Sequence, residues 1–305
     1  MPRYTRLLLA SLVVLAVPAA FGEVHCPRDV ESLRLRLVQS SLIILAIEIN
    51  HSGPYDFVVD TGAQVTTIES SLAAELGLKS RGTTGVSGVG TYARAGYAYL
   101  DLIEAGKHSV ANAISVIQDI PQLKSADPRI RGILGANFIE HFDVLIDNNQ
   151  KIICMDESGA LAAAFKGEHI ELVEPQGAQI DLPFTRPITI PARLGALRNK
   201  PVVLRLDSGS NVPILYAIEP GVQEESESQR PPLMRLVNGR KQSFAILPAQ
   251  KVEIGKQWLR DVSFARPIND VGAGSQKREN GVLPTIAFKR VFISCSGGYV
   301  SLESW

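Results

Sequence analysis

The sequence predicts an all-β protein built from two homologous lobes, and three observations support this. Short runs of Val, Ile and Leu are punctuated by Gly and Pro, as is typical of β-strands. An apolar strand that runs into Asp, a hydroxyl residue and Gly occurs twice, at Asp60-Thr61-Gly62 and at Asp207-Ser208-Gly209. Each copy is followed by Gly and two apolar residues, 72 positions after Asp60 and 74 after Asp207. The shared order and spacing indicate an internal duplication.

The elements of each half follow from local pattern. The first half is expected to contain, in order, strands at 33–37 and 42–49, a turn at Ser52-Gly53-Pro54, the strand to Asp60, a helix at 69–78, a Gly-bearing hairpin at 85–92 and a strand at 97–103. The second half is expected to contain a strand at 188–190, a turn near Gly195, the strand to Asp207, an Asn-Gly hairpin at 236–240 and a strand at 244–254. Segments 224–232 and 269–280 have the composition of surface loops.

Composition excludes several classes of function. The 31 basic and 31 acidic residues cancel, which does not favour a nucleic-acid or anionic-membrane partner. Hydrophobic content of 45% and a length of 305 residues suit a folded protein of two domains. The expected division is a leader at 1–22, a first lobe at 23–157, a connection at 158–183 and a second lobe at 184–305.

The N-terminus has the pattern of a secretory signal peptide. Arg3 and Arg6 precede an apolar run at 7–17, and small residues follow it. The alternative is a membrane anchor, which needs about 20 apolar residues, and Pro18 interrupts this run earlier. We therefore expect cleavage near Gly22, a secreted or periplasmic protein, and no membrane association after cleavage.

Three cysteines remain after that cleavage: Cys26, Cys154 and Cys295. An oxidising compartment allows one disulfide among them, and the pairing is open. At strand positions, Cys154 and Cys295 are expected to be small buried apolar residues. Neither the cysteines nor the five histidines have metal-ligand spacing, so no metal and no cofactor are expected.

The two Asp turns allow acid–base chemistry if they face each other. Two carboxyl groups about 3 Å apart share one proton, so that one can activate a water and the other can protonate a carbonyl oxygen. Gly62 and Gly209 let the backbone approach those carboxyl groups. Thr61 and Ser208 can hydrogen-bond across to the opposite half.

The hairpins are expected to cover bound substrate. Gly88 and Gly90 confer mobility on the first, where Tyr92 can contact the ligand. Asn238 and Gly239 form the tip of the second.

These motifs resemble the retropepsin and pepsin group of aspartic peptidases, in a two-lobed secreted form. The likeness is closest in the first half, where Asp60-Thr61-Gly62-Ala63, the Gly-rich hairpin and Ile133-Leu134-Gly135 have the family's order. The resemblance implies acid-protease-like β-barrel lobes about a pseudo-twofold axis, with an active-site cleft between them. It also implies a monomeric endopeptidase that binds an extended peptide and uses Asp60 and Asp207.

The second half departs from the family at two positions. Pro284 stands where the family has Gly, so the loop threaded beside the catalytic turn is expected to differ. Arg205 is a charge in a usually apolar strand, and strand alternation would direct it to solvent. A further difference places Ser210 opposite Ala63, and a Ser hydrogen bond to Asp207 would make that residue the more easily ionised one.

Two alternatives to a single-chain peptidase stay open. The chain could be a peptide-binding protein without turnover. It could also be an enzyme in which two first lobes of separate chains form the dyad.

Overall fold

We analysed a computed structural model that describes residues 26–88, 91–174, 187–195, 201–216, 232–237, 240–268 and 279–305. The predicted signal peptide lies outside these residues. The described chain is nearly all β, with four short helices among its elements. The predicted all-β, two-lobed fold is confirmed.

Twenty-three strands, numbered in chain order, form the described structure. They are β1 (Glu31–Arg34), β2 (Arg36–Val38), β3 (Leu42–Ile49), β4 (Ser52–Val59), β5 (Thr66–Ile68), β6 (Gly82–Gly88), β7 (Thr91–Ala105), β8 (His108–Ile117), β9 (Ile130–Leu134), β10 (Asp143–Asp147), β11 (Ile152–Asp156), β12 (Ile170–Glu171), β13 (Thr189–Leu194), β14 (Pro201–Asp207), β15 (Ile214–Leu215), β16 (Leu233–Val237), β17 (Arg240–Ile246), β18 (Gln250–Ile254), β19 (Gln257–Val262), β20 (Ala265–Pro267), β21 (Gly281–Pro284), β22 (Arg290–Ser294) and β23 (Tyr299–Glu303). The helices are α1 (Ser70–Glu75), α2 (Pro121–Ala126), α3 (Ala136–Ile139) and α4 (Ala160–Ala164), with a 3-10 turn at Thr285–Ala287.

The strands form three sheets. The first lobe has an eight-stranded sheet in the order β2-β3-β4-β9-β5-β8-β7-β6. The second lobe has a nine-stranded sheet in the order β16-β17-β20-β15-β21-β14-β13-β18-β19. A six-stranded sheet, β1-β11-β10-β22-β23-β12, takes strands from both halves and joins the lobes. The domain boundaries expected from sequence stay predictions.

Each lobe threads one parallel strand beside its Asp-bearing strand. In the first lobe β9 pairs with β4, so that Phe57 faces Gly132. In the second lobe β21 pairs with β14, so that Leu204 faces Gly281. The two pairings have the same register relative to Asp60 and Asp207, which is the structural counterpart of the matched sequence intervals.

The apolar core explains why these strands hold their position. Val59, Leu206 and Leu283 are 3% exposed or less and belong to one cluster that contains residues of both halves. Burying a side chain of this size stabilises the fold by about 1.5–3 kcal/mol. The strand ends that carry the Asp residues are therefore fixed by the core beneath them.

A disulfide joins the start of the described chain to the shared sheet. Cys26 and Cys154 are bonded across a sequence separation of 128, and Cys295 is free and half-buried. The expectation that Cys154 is only a small apolar residue is wrong. Cys154 is fully buried on β11, as expected, but its sulfur is used in a cross-link.

Local structure corrects three details of the expected elements. The turn before the Asp60 strand lies at Asn50-His51, whose φ angles are 50° and 61°, and Ser52-Gly53-Pro54 begins β4 instead. Asn tolerates this left-handed backbone better than most residues. The helix expected at 69–78 is the shorter α1, and the strand expected at 244–254 is divided between β17 and β18.

Candidate active site

Asp60 and Asp207 meet at the centre of the molecule, each directly at the end of a buried strand. Asp60 follows Val59 of β4, and its backbone N–H donates to Leu134 O of the threaded strand at 3.0 Å. Asp207 is the last residue of β14. The carboxyl groups hydrogen-bond to each other. The structure thus brings together the two predicted catalytic residues.

Each glycine of the two turns lies behind the carboxyl group of the opposite lobe. A Cβ atom added to Gly62 would lie 2.5 Å from Asp207 Cγ, and one added to Gly209 would lie 2.4 Å from Asp60 Cγ. Any side chain at either position would displace a carboxyl group. Glycine is needed here for close approach, and the requirement acts between lobes.

Thr61 and Ser208 tie the two turns together with four crossed hydrogen bonds. The Thr61 hydroxyl accepts from Ser208 N at 3.0 Å and donates to Leu206 O at 2.8 Å. The Ser208 hydroxyl accepts from Thr61 N at 3.1 Å and donates to Val59 O at 2.7 Å. Both residues are 1% exposed. The cross-lobe hydrogen bonds predicted for these hydroxyls are present.

Backbone donors favour the ionised form of Asp60. Asp60 Oδ1 accepts from Gly62 N at 2.8 Å and from Ala63 N at 3.0 Å. Asp207 Oδ1 accepts from Gly209 N at 2.7 Å. Burial raises the pKa of both carboxyl groups, and the hydrogen bond from Asp207 partly offsets this for Asp60.

The surroundings of Asp207 favour its protonated form. Burial, then the charge of Asp60 and the hydrogen bond to it, raise the pKa of Asp207 well above 3.8. This direction is opposite to the expectation that Asp207 ionises more easily. The Ser210 hydroxyl donates to Val212 O at 3.0 Å instead of reaching the carboxylate.

Arg205 is a site residue that sequence reasoning placed incorrectly. Its Nη1 donates to Gly62 O in the first lobe at 2.7 Å, and its Nη2 lies 2.9 Å from Glu279 Oε1. The Arg205 side chain is 19% exposed and that of Glu279 is 8% exposed. Alternation therefore directs Arg205 to the lobe interface, and Glu279 is not part of an open surface loop. The charge itself, in an apolar strand, was the available signal.

The two threaded strands each have a glycine at the same position in register. A Cβ atom at Gly132 would lie 2.6 Å from Thr67 O, and one at Gly281 would lie 2.2 Å from Ile214 O. Both lobes therefore need glycine at this position of the threaded strand.

The end of the threaded strand differs between the lobes, as expected. Gly135 N donates to the Thr66 hydroxyl at 3.1 Å. The register places Pro284 and Pro213 at the corresponding positions of the second lobe. Pro284 has no N–H to donate and Pro213 has no hydroxyl to accept, so donor and acceptor are absent together and β21 keeps its pairing.

The two predicted hairpins are partly described. In the first, β6 and β7 pair from Gly82–Tyr97 to Gly88–Thr91, and Gly90 lies outside the described residues. Tyr92 is 44% exposed, and its ring passes close to Gly85. In the second, β16 and β17 pair up to Val237–Arg240, and Asn238 and Gly239 lie outside the described residues. The contacts of both hairpins with substrate stay predictions.

The described residues have neither a candidate metal site nor a membrane-spanning helix. They include no group of three or more His, Cys, Asp or Glu placed to hold a metal ion. Within the same residues, no helix has the length and apolar character needed to cross a membrane.

Part of the first half matches a known protein family. Residues 45–138 match the family described as aspartyl protease, a segment that contains Asp60 and the threaded strand β9. No curated protein matches the chain. A solved retropepsin-like aspartic protease from Rickettsia conorii is similar at 17% identity and a TM-score of 0.32, over 42% of this chain and 91% of that one.

Proposed function

We propose that this protein is an aspartic endopeptidase whose dyad is Asp60 and Asp207 of one chain. One observation carries the proposal. Each turn places its glycine against the other turn's carboxyl group, while Thr61 and Ser208 exchange hydrogen bonds. This reciprocal arrangement holds two carboxyl groups in contact within a single chain, which is the geometry that shared-proton catalysis needs.

The distribution of the proton assigns a role to each residue. Ionised Asp60 takes a proton from a water between the carboxyl groups, and that water attacks the scissile carbonyl carbon. Asp207 gives its proton to the carbonyl oxygen as the carbon becomes tetrahedral. Asp60 then gives its proton to the leaving nitrogen while ionised Asp207 takes a proton back from a hydroxyl of the tetrahedral carbon. The C–N bond breaks to give a carboxylic acid and an amine, and the dyad returns to its starting protonation. The two carboxyl groups titrate as a pair.

An extended peptide is the substrate that suits this fold. β6 lies at one edge of the first-lobe sheet and β16 at one edge of the second-lobe sheet. An edge strand has free backbone groups that can pair with an extended chain, and alternate side chains of that chain would occupy pockets. Gly88, Gly90 and Tyr92 of the first hairpin, and Asn238 and Gly239 of the second, are proposed to contact it.

Substitution of each Asp tests the proposal. Asp60→Asn and Asp207→Asn should each lower the rate of hydrolysis of a denatured protein substrate by a factor of about 100 or more, because each removes one acid–base partner. The measurement is peptide release between pH 3 and pH 7, with and without a transition-state peptide inhibitor. Asp119→Asn is the matched control, since Asp119 is exposed and distant in sequence from both turns.

The outcome also separates the alternatives. Full activity in either variant removes that residue from the mechanism. Wild-type protein that binds peptides but cleaves none over this pH range would be a peptide-binding protein instead.

We also propose that the protein is exported, secreted or periplasmic, and cleaved near Gly22. The disulfide between Cys26 and Cys154 supports this, because such bonds form and persist mainly in oxidising compartments. N-terminal sequencing of the mature protein tests it, and a mature chain that retains Met1 would contradict cleavage.

A further inference from the structure

Arg205 occupies a place that the first lobe fills with an apolar side chain. It lies two residues before Asp207, and Val58 lies two residues before Asp60. Val58 is 1% exposed and packs in a small apolar cluster. The strand therefore does not require a charge at this point. An arginine that replaces a well-packed apolar residue loses hydrophobic burial, so its contacts should account for its presence.

One of these contacts leads directly to the other lobe's catalytic residue. Arg205 Nη1 donates to Gly62 O at 2.7 Å. That carbonyl and the N–H of Ala63 belong to the same peptide unit, and Ala63 N donates to Asp60 Oδ1 at 3.0 Å. A donor on the carbonyl polarises the peptide and strengthens the bond that its N–H makes. The guanidinium thus acts on Asp60 through a single peptide.

Glu279 holds the guanidinium in place. Its Oε2 accepts from Arg205 Nη2 at 3.0 Å. The next residue, Asn280, makes two hydrogen bonds to Val203 of β14. Its backbone N donates to Val203 O at 2.8 Å, and its side-chain Oδ1 accepts from Val203 N at 2.8 Å. Glu279 is therefore anchored to the same strand that carries Arg205.

We propose that Arg205 is a positioning residue of the dyad, which acts through the Gly62–Ala63 peptide to keep Asp60 in the ionised form that activates water. Activation of water by Asp60 rests on the proposed function, whereas the effect of Arg205 on the ionisation of Asp60 does not. It makes the two lobes unequal, because Val58 can offer no such donor to the turn of the second lobe.

The charges around the dyad agree with this role. The positive charge of Arg205 lowers the pKa of Asp60 and also that of Asp207, against the effect of burial. In the sheet, the neighbours of Arg205 are Thr189 on β13 and Val282 on β21, both uncharged. The charged groups that face it are Glu279 and, through Gly62, the dyad itself.

The test is a carboxyl titration that does not depend on turnover. Protein labelled with ¹³C at the Asp carboxyl carbons is followed by NMR, and Asp60 is assigned by the signal missing in Asp60→Asn. Arg205→Met alone leaves Glu279 buried without its cation, so the main variant is Arg205→Met with Glu279→Met, which removes the pair together. Arg34→Met is the control, because Arg34 is an exposed arginine on a strand of the shared sheet.

The titration of Asp60 should move to higher pH by about one unit in the double variant, and stay unchanged in Arg34→Met. Glu279→Gln keeps the guanidinium and should leave the titration of Asp60 unchanged or lower it. An unchanged or lowered titration in the folded double variant would overturn the proposal, as would a raised one in Glu279→Gln.

The pH–rate profile separates this inference from the proposed function. In an active enzyme, the acidic limb of the kcat/KM profile of the double variant should move to higher pH by the same amount as the titration of Asp60. A shifted titration in a protein without hydrolysis would retain the positioning role and reject the peptidase. Hydrolysis with an unshifted titration would retain the peptidase and reject the positioning role.

Discussion

At the scale of single residues, the raised pKa of Asp207 couples stability to pH. An Asp in the unfolded chain ionises near its ordinary pKa of 3.8, whereas folded Asp207 keeps its proton to higher pH. Between those two values the unfolded chain binds fewer protons than the folded one. The free energy of unfolding must therefore fall as the pH rises through this range, and the contribution is fully present below it.

Asp207→Asn should remove this dependence. The wild-type free energy of unfolding is expected to fall above pH 4 with a slope of up to about 1.4 kcal/mol per pH unit relative to the variant. Urea unfolding between pH 4 and pH 7 measures it. Asp119→Asn serves as the control and should follow the wild type. Parallel curves for wild type and Asp207→Asn would mean that no proton is retained at this site.

At the scale of elements, the threaded strands show how the duplicated lobes came to tolerate different residues. Gly132 and Gly281 are equivalent and both lie against a backbone carbonyl. Gly135 and Pro284 are equivalent in register but not in surroundings, because a Cβ at Gly135 would lie 2.5 Å from the carbonyl carbon of Val65. Proline at the second position indicates that this close contact is absent there.

The same substitution at these two positions should therefore have unequal effects. Gly135→Ala should lower the free energy of unfolding by about 1–3 kcal/mol, because the new methyl group overlaps backbone atoms of Val65 and Thr66 at the start of β5. Pro284→Ala should lower the free energy of unfolding by about 1 kcal/mol or less, chiefly by increasing the conformational entropy of the unfolded chain. Urea unfolding of the matched pair measures both. Equal losses would contradict the difference between the lobes.

At the scale of the whole molecule, one chain supplies everything that joins the lobes. β10 of the first half pairs with β22 of the second in the shared sheet. The crossed bonds of Thr61 and Ser208 lie between the same two halves. Under the proposed function, the dyad is complete within one chain.

Activity should accordingly be independent of protein concentration. We expect a constant specific activity between micromolar and nanomolar protein, because dilution does not separate two turns of one chain. Initial rates across the dilution series measure it, with Asp207→Asn assayed beside the wild type. Specific activity that falls on dilution, or that survives in Asp207→Asn, would favour a dyad formed by two first lobes.

Sequence reasoning recovered the fold and the contacts of the dyad because both depend on local, repeated patterns. The pattern of a strand followed by Asp, a hydroxyl residue and Gly predicts both a turn and its chemistry from a few residues. It failed at Arg205 and Cys154 because their partners, Gly62 and Cys26, are 128 residues or more away in the sequence. It failed at Ser210 because the hydroxyl had two acceptors within reach and bonds to Val212 O, two residues on.

The sequence by itself determined the all-β class, the duplication, and the two Asp turns with their supporting hydroxyls and glycines, since strand propensity and turn chemistry are properties of short segments. Tertiary structure alone decided how burial and hydrogen bonds shift the pKa of each Asp, and which charge acts on the pair. The physical reason is that a buried carboxyl group responds to every donor and charge within a few ångströms. At this site those groups come from both lobes, from residues as far apart as Gly62 and Glu279.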